Sequence, residues 1–132
     1  MKLINQEEIN KIDGCPSESY KGTLKLFRWV NSENIEQSFE FYGSTKPKFA
    51  KDCIAWGLST YKSKKAAIEV LKNMSAGMQK KFNAIASCDI EDSDGIKYQS
   101  RENLNHYTFF PITEFNTASK FNIVEVLTDG KG

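Results

Sequence analysis

The chain has 132 residues, 39% of them hydrophobic and 27% charged, with nine Phe; that length suits one domain over residues 1–132, and that composition supplies a core and excludes global disorder. Eighteen basic side chains against 17 acidic ones leave a formal net charge of +1, which removes the general electrostatic footprint of a duplex-DNA binder, so nucleic acid is not expected as a partner. No apolar run reaches the roughly 18 residues of a membrane span and no leader pattern occurs, while Cys15, Cys53 and Cys88 are too few and too scattered for a zinc site or a disulfide framework; reduced thiols in a cytoplasmic protein with no membrane contact are the expectation.

In chain order, residues 1–20 read as an N-terminal helix, about residues 5–12, ended by Asp13-Gly14 and followed by a Cys15-Pro16-Ser17 turn. Thr23 to Val30 alternates and is rich in strand formers, which places Leu24, Leu26, Arg28 and Val30 on one face. Ser32 is positioned to cap a helix to about Tyr42, and Gly43 to Pro47 ends it. Cys53 to Tyr61 reads as a second strand, and Ser63 then caps a long helix from Lys64 to about Lys81, weakened in its last turns by Gly77.

Phe82 to Ile90 alternates as a third strand before the acidic turn Glu91 to Gly95, with Ile96 to Gln99 set to pair back as a hairpin. His106 to Phe110 is an aromatic strand ended by Pro111, which belongs at an edge or just outside the sheet. Phe121 to Leu127 is the last strand, and 128–132 a flexible tail. The irregular order of elements argues for an α+β fold: a bent, mostly antiparallel sheet with two to three helices on one side. There is no phosphate loop and no dinucleotide-binding glycine motif.

Arg28 is the sharpest anomaly, because an always-charged guanidinium on an apolar strand face must reach a carboxylate, a row of carbonyls, solvent or an anionic ligand. Ser59 and Thr60 end a strand in which Gly57 permits close backbone approach; they serve either as corner residues or as hydrogen-bonding groups for a ligand. His106, the sole histidine, is the default acid or base, or else a structural residue. The Asp89 to Gly95 segment lacks the glutamate a calcium loop needs at its twelfth position, so it reads as an acidic turn and no metal is expected. Lys62, Lys64, Lys65, Lys72, Lys80 and Lys81 surround the long helix as a solvated face or a phosphate-contacting one.

Leu-x-Arg on the first core strand, followed by a Gly-x-Ser-Thr strand that leads through Ser63 into a helix bearing Ala66 and Ala67, resembles the front half of the ADP-ribosyltransferase fold in its Arg-Ser-Glu class. The resemblance covers about a third of the chain and implies NAD as ligand and substrate. It implies that Arg28 grips the dinucleotide, that Ser59 and Thr60 brace the nicotinamide pocket, that Trp56 or Tyr61 stacks on the nicotinamide, and that Glu125 stabilises a ribose oxocarbenium ion. Tyr61 departs from the third residue of the Ser-Thr-Ser element, and Ile123 stands where the class has a second acid two positions before Glu125. The alternative is a noncatalytic inhibitor or accessory factor that meets a protein target through Trp29, Tyr42, Tyr107 and Phe110.

Overall fold

The computed structural model describes residues 2–16 and 18–127; the tail expected at 128–132 lies outside them. Six strands form one sheet: β1 (Leu24–Val30), β2 (Leu58–Tyr61), β3 (Ala84–Ile90), β4 (Gly95–Gln99), β5 (His106–Pro111) and β6 (Asn122–Val126). Their order is β4-β5-β2-β1-β3-β6 and every pairing is antiparallel. The α+β reading holds, with five short α-helices among the described residues rather than two to three: α1 (Gln6–Asn10), α2 (Tyr42–Thr45), α3 (Lys64–Lys72), α4 (Ala76–Lys81) and α5 (Thr117–Lys120).

Alternation sets the two faces. Leu26 and Val30 of β1, Leu58 of β2 and Phe109 of β5 join Phe39, Phe115 and Phe121 in one core. Trp29, Tyr61 and Ile85 point the other way, against Ala67 and Leu71 of α3, and the Trp29 indole donates to the Ala67 carbonyl at 3.0 Å. A third cluster packs Ile9 of α1 on Trp56 and Phe110. Both sheet faces are therefore covered, not one, because β1 is apolar on both sides once Phe27 and Trp29 are counted with Leu26 and Val30.

The sheet is strongly curved. In the strand order β3 and β4 stand four places apart, which in a flat sheet means about 19 Å; yet Lys97 of β4 donates to the Ile90 carbonyl of β3 at 3.3 Å. The Lys97 ammonium is fully buried and also bonds the Gly22 carbonyl at 2.6 Å and the Asp92 carboxylate at 2.9 Å. The expected hairpin therefore does not form: β4 pairs with β5, and the acidic turn spends Asp92 on Lys97 and on the Gly22 amide. Pro111 lies within interior strand β5, at its end, opposite Gly95.

Two expected helices change for local reasons. In place of the 32–42 helix there is a 3-10 turn, Glu36–Phe39, and α2 starts separately at Tyr42; the Ser38 carbonyl, which a continuing helix would offer to the Tyr42 amide, is taken by Arg28. The expected 64–81 helix starts where Ser63 caps it, its hydroxyl accepting from the Ala66 amide at 3.0 Å, but divides at residues 73–75 because Ser75 caps a new start. The expected strand at Cys53 begins only at Leu58, since Cys53–Trp56 is a 3-10 turn. That turn is tied to the N-terminal segment by a Cys15–Cys53 disulfide. The expectation of reduced thiols fails for this pair: the odd total of cysteines conceals it, and α1 brings the two Cα atoms to 5.5 Å.

Candidate functional site

β1 and β2 share one paired position, Phe27 opposite Tyr61, whereas β1 and β3 share seven. Beyond Phe27 the first two strands part, and the Arg28 side chain enters the opening. Its Nη1 donates to the Ser59 carbonyl at 2.8 Å, while Nε and Nη2 donate to the Ser38 carbonyl at 3.2 and 2.7 Å. Its Cζ lies 5.6 Å from the ring centroids of both Trp29 and Phe39, so the guanidinium bridges the two cores.

The charge has no carboxylate partner among the described residues. Arg28 is 6% exposed, and the ion pairs among the described residues involve Lys11, Lys25, Lys64 and Lys97 instead. Burial pushes the guanidinium down to about 10, with Tyr42 and Tyr61 acting in the opposite direction, so it stays charged at neutral pH. Two of its five N–H groups have no protein acceptor among the described residues. A hollow of about 140 Å³ lies against it, lined also by Glu40, Tyr42, Thr45, Lys46 and Lys81. Two lysines and one arginine against one glutamate make this hollow net positive.

On the sheet face of Trp29, the half-buried side chains of Ser59 and His106 meet: His106 Nε2 lies 3.1 Å from Ser59 Oγ. The other ring nitrogen, Nδ1, is hydrogen-bonded to Ser100 Oγ. The Tyr61 ring stands edge-on to the imidazole, 5.1 Å between centroids. Burial, and then the Arg28 charge, hold the His106 pKa below its ordinary value of 6.5, so the ring is neutral at neutral pH.

The structure thus brings together Arg28, Ser59, Tyr61 and His106 and leaves out the other three expected site residues. Thr60 is fully buried, and its hydroxyl donates to the Tyr107 carbonyl at 2.7 Å. Trp56 is buried under α2, its indole donating to the Ala50 carbonyl at 2.8 Å, so it has no free face for stacking. Tyr61 is also buried; its ring is held by Trp29 and His106, and burial pushes its phenol up to about 12. Glu125 lies on edge strand β6, beyond β1 and β3 from Ser59, and ion-pairs with Lys64 at 2.8 Å. It faces a separate hollow, with Lys72, Lys80 and Leu127.

Sequence reasoning missed Ser100 and Lys46 and met Lys81 only as one of six lysines around the long helix. Lys81 ends a helix whose basic face reads as either solvated or phosphate-contacting, and Lys46 and Ser100 sit in segments without periodicity; only the fold carries them to the site. Of the aromatics expected to meet a protein partner, Trp29, Tyr107 and Phe110 are core residues and Tyr42 alone is exposed. No helix among the described residues is long and apolar enough to cross a membrane, and no cluster of three or more His, Cys, Asp or Glu among them could hold a metal ion. Comparison with protein-family models, with curated proteins and with solved structures returns no match.

Proposed function

We propose that the protein binds NAD or a related nucleotide in the manner of an ADP-ribosyltransferase-like protein, with a phosphate group of the ligand against Arg28. The observation that carries this reading is the buried Arg28 charge, without a carboxylate partner among the described residues, at the parting of β1 and β2, bonded to Ser59 and fronting a net-positive hollow. A buried cation without a carboxylate is costly, and an anionic ligand offsets that cost. The hollow admits a phosphate group but not a dinucleotide, since whole-ligand pockets span about 300–1,000 Å³; the rest of the ligand therefore lies outside it.

Binding is better supported than transfer. Glu125 does not reach the Arg28–Ser59 region, so the oxocarbenium role implied for it by resemblance has no carrier there, and ribosyl transfer to an acceptor would require His106 or a group of the acceptor itself. The Cys15–Cys53 disulfide favours an oxidising compartment over the cytoplasm for this activity.

Calorimetric titration with NAD and with ADP-ribose tests the reading. Wild-type protein is expected to bind at least one of them, and Arg28→Lys and Lys46→Ala to weaken binding by about tenfold or more, as loss of a forked or charged phosphate contact does. Folded wild-type protein that takes up neither ligand overturns it.

A further inference from the structure

Ser59, His106 and Ser100 come from three different parts of the chain. Ser59 is in β2, His106 opens β5, and Ser100 follows β4. The Ser100 amide donates to the His106 carbonyl at 2.9 Å, and its hydroxyl meets Nδ1, so one residue fixes both the backbone and the ring of the histidine. Ser59 is fixed as well, because its own carbonyl is held by Arg28 at 2.8 Å. The three residues are half-buried, so none is sealed from solvent.

That arrangement has the logic of an activated nucleophile: a hydroxyl at hydrogen-bond distance from an imidazole, and a third group that orients the imidazole. We propose that Ser59 is a nucleophile and His106 its general base, with Ser100 as a positioning residue, and that the site takes a small ester bearing an anionic group. The proposal rests on the nucleotide reading only for that anionic group, which the Arg28 charge beside Ser59 would attract.

The chemistry requires one tautomer. With Nδ1–H donating to Ser100, Nε2 carries the lone pair and accepts from Ser59. Ser59 Oγ then attacks the ester carbonyl carbon. The Oγ–C bond forms, the carbonyl π pair moves to its oxygen, and the hydroxyl proton passes to Nε2. Collapse breaks the bond to the leaving alcohol, which takes the proton from His106, and water repeats the two steps to release the acid. The charged and titratable groups facing His106 are Arg28 from β1 and Tyr61 from β2. Tyr61 is neutral throughout, and burial first, then the Arg28 cation, favours the unprotonated imidazole.

Full-length protein treated with an alkyl fluorophosphonate tests the proposal: the P–F bond breaks, an Oγ–P bond forms and hydrogen fluoride leaves. One adduct is expected, mapped by peptide mass spectrometry to Ser59 and absent in Ser59→Ala. His106→Gln, which keeps a hydrogen-bonding side chain, is expected to slow labelling by about 100-fold or more. Ser100→Ala is expected to lower the rate and change its pH profile, and Ser100→Thr to restore both; circular dichroism confirms that each variant is folded. No adduct at Ser59, or an unchanged rate in His106→Gln, overturns the proposal. Adduct formation in protein that binds neither NAD nor ADP-ribose supports it while removing the nucleotide reading, and nucleotide binding without an adduct does the reverse.

Discussion

Arg28 donates to the Ser59 carbonyl, 31 residues away, at the place where β1 and β2 stop pairing. The same guanidinium holds the Ser38 carbonyl through two further bonds, so one side chain joins both strands and the 3-10 turn at Glu36–Phe39. Arg28→Met would relieve a buried charge but orphan two carbonyls, at about 1–3 kcal/mol each. A net loss of about 2–4 kcal/mol is expected from urea unfolding. Arg28→Lys is expected to fall between, because an ammonium has no planar fork to span both acceptors. A methionine variant as stable as wild type would refute the structural half of this account.

His106 predicts an acid-side loss of stability. Its folded-state pKa lies below the ordinary 6.5, first through burial and second through the Arg28 charge. The unfolded chain therefore takes up the proton first as pH falls, so this contribution is fully present above 6.5 and is lost progressively between that value and the lower folded one. Urea midpoints measured across this window should fall with pH in wild type, and the difference between wild type and His106→Gln should change there. Imidazole resonances that titrate at or above the ordinary value would sink the prediction.

The sequence was legible where one rule dominated. Alternation identifies β1, β3 and β5 because apolar strand faces leave little choice of register, and Ser63 announces α3 because its hydroxyl does cap it. The 32–42 helix was illegible because its failure depends on Arg28, a residue outside the segment, capturing the Ser38 carbonyl. Lys97 carries no local sign that its ammonium will sit buried among two carbonyls and Asp92. Within the candidate site, Arg28 and Ser59 were legible as a pair, and His106 as a lone candidate. Glu125 misleads because position in the chain does not reveal that β6 pairs with β3, across the sheet from Ser59.

The Cys15–Cys53 disulfide closes a span of 38 residues. In the chain-entropy treatment a loop of that size contributes about 4 kcal/mol by restricting the unfolded chain. Reduction is therefore expected to lower the urea midpoint, and Cys15→Ser to have the same effect without reductant. Thiol titration of the denatured protein should find one free thiol before reduction, that of Cys88, and three afterwards. Three thiols before reduction would contradict the pairing.

Three glycines separate close packing from mere flexibility. A Cβ on Gly43 would stand 2.4 Å from Cε2 of the Trp56 indole, a ring already fixed by its bond to Ala50. On Gly57 it would stand 2.5 Å from Thr108 Cγ2 and 3.1 Å from the Phe109 carbonyl oxygen, where β2 meets β5. Neither neighbour is the free end of a flexible chain, so Gly43→Ala and Gly57→Ala are each expected to destabilise by about 1–3 kcal/mol, as overpacking does. Gly77, inside α4, has nothing nearer to its would-be Cβ than Ser75 Oγ at 4.0 Å. There alanine removes backbone freedom from the unfolded chain and meets no obstacle, so Gly77→Ala should stabilise by about 0.5–1 kcal/mol. Urea unfolding of the three variants under one condition checks the contrast. Equal effects at all three positions would show that backbone freedom, not the approach of Trp56 and Thr108, governs these sites.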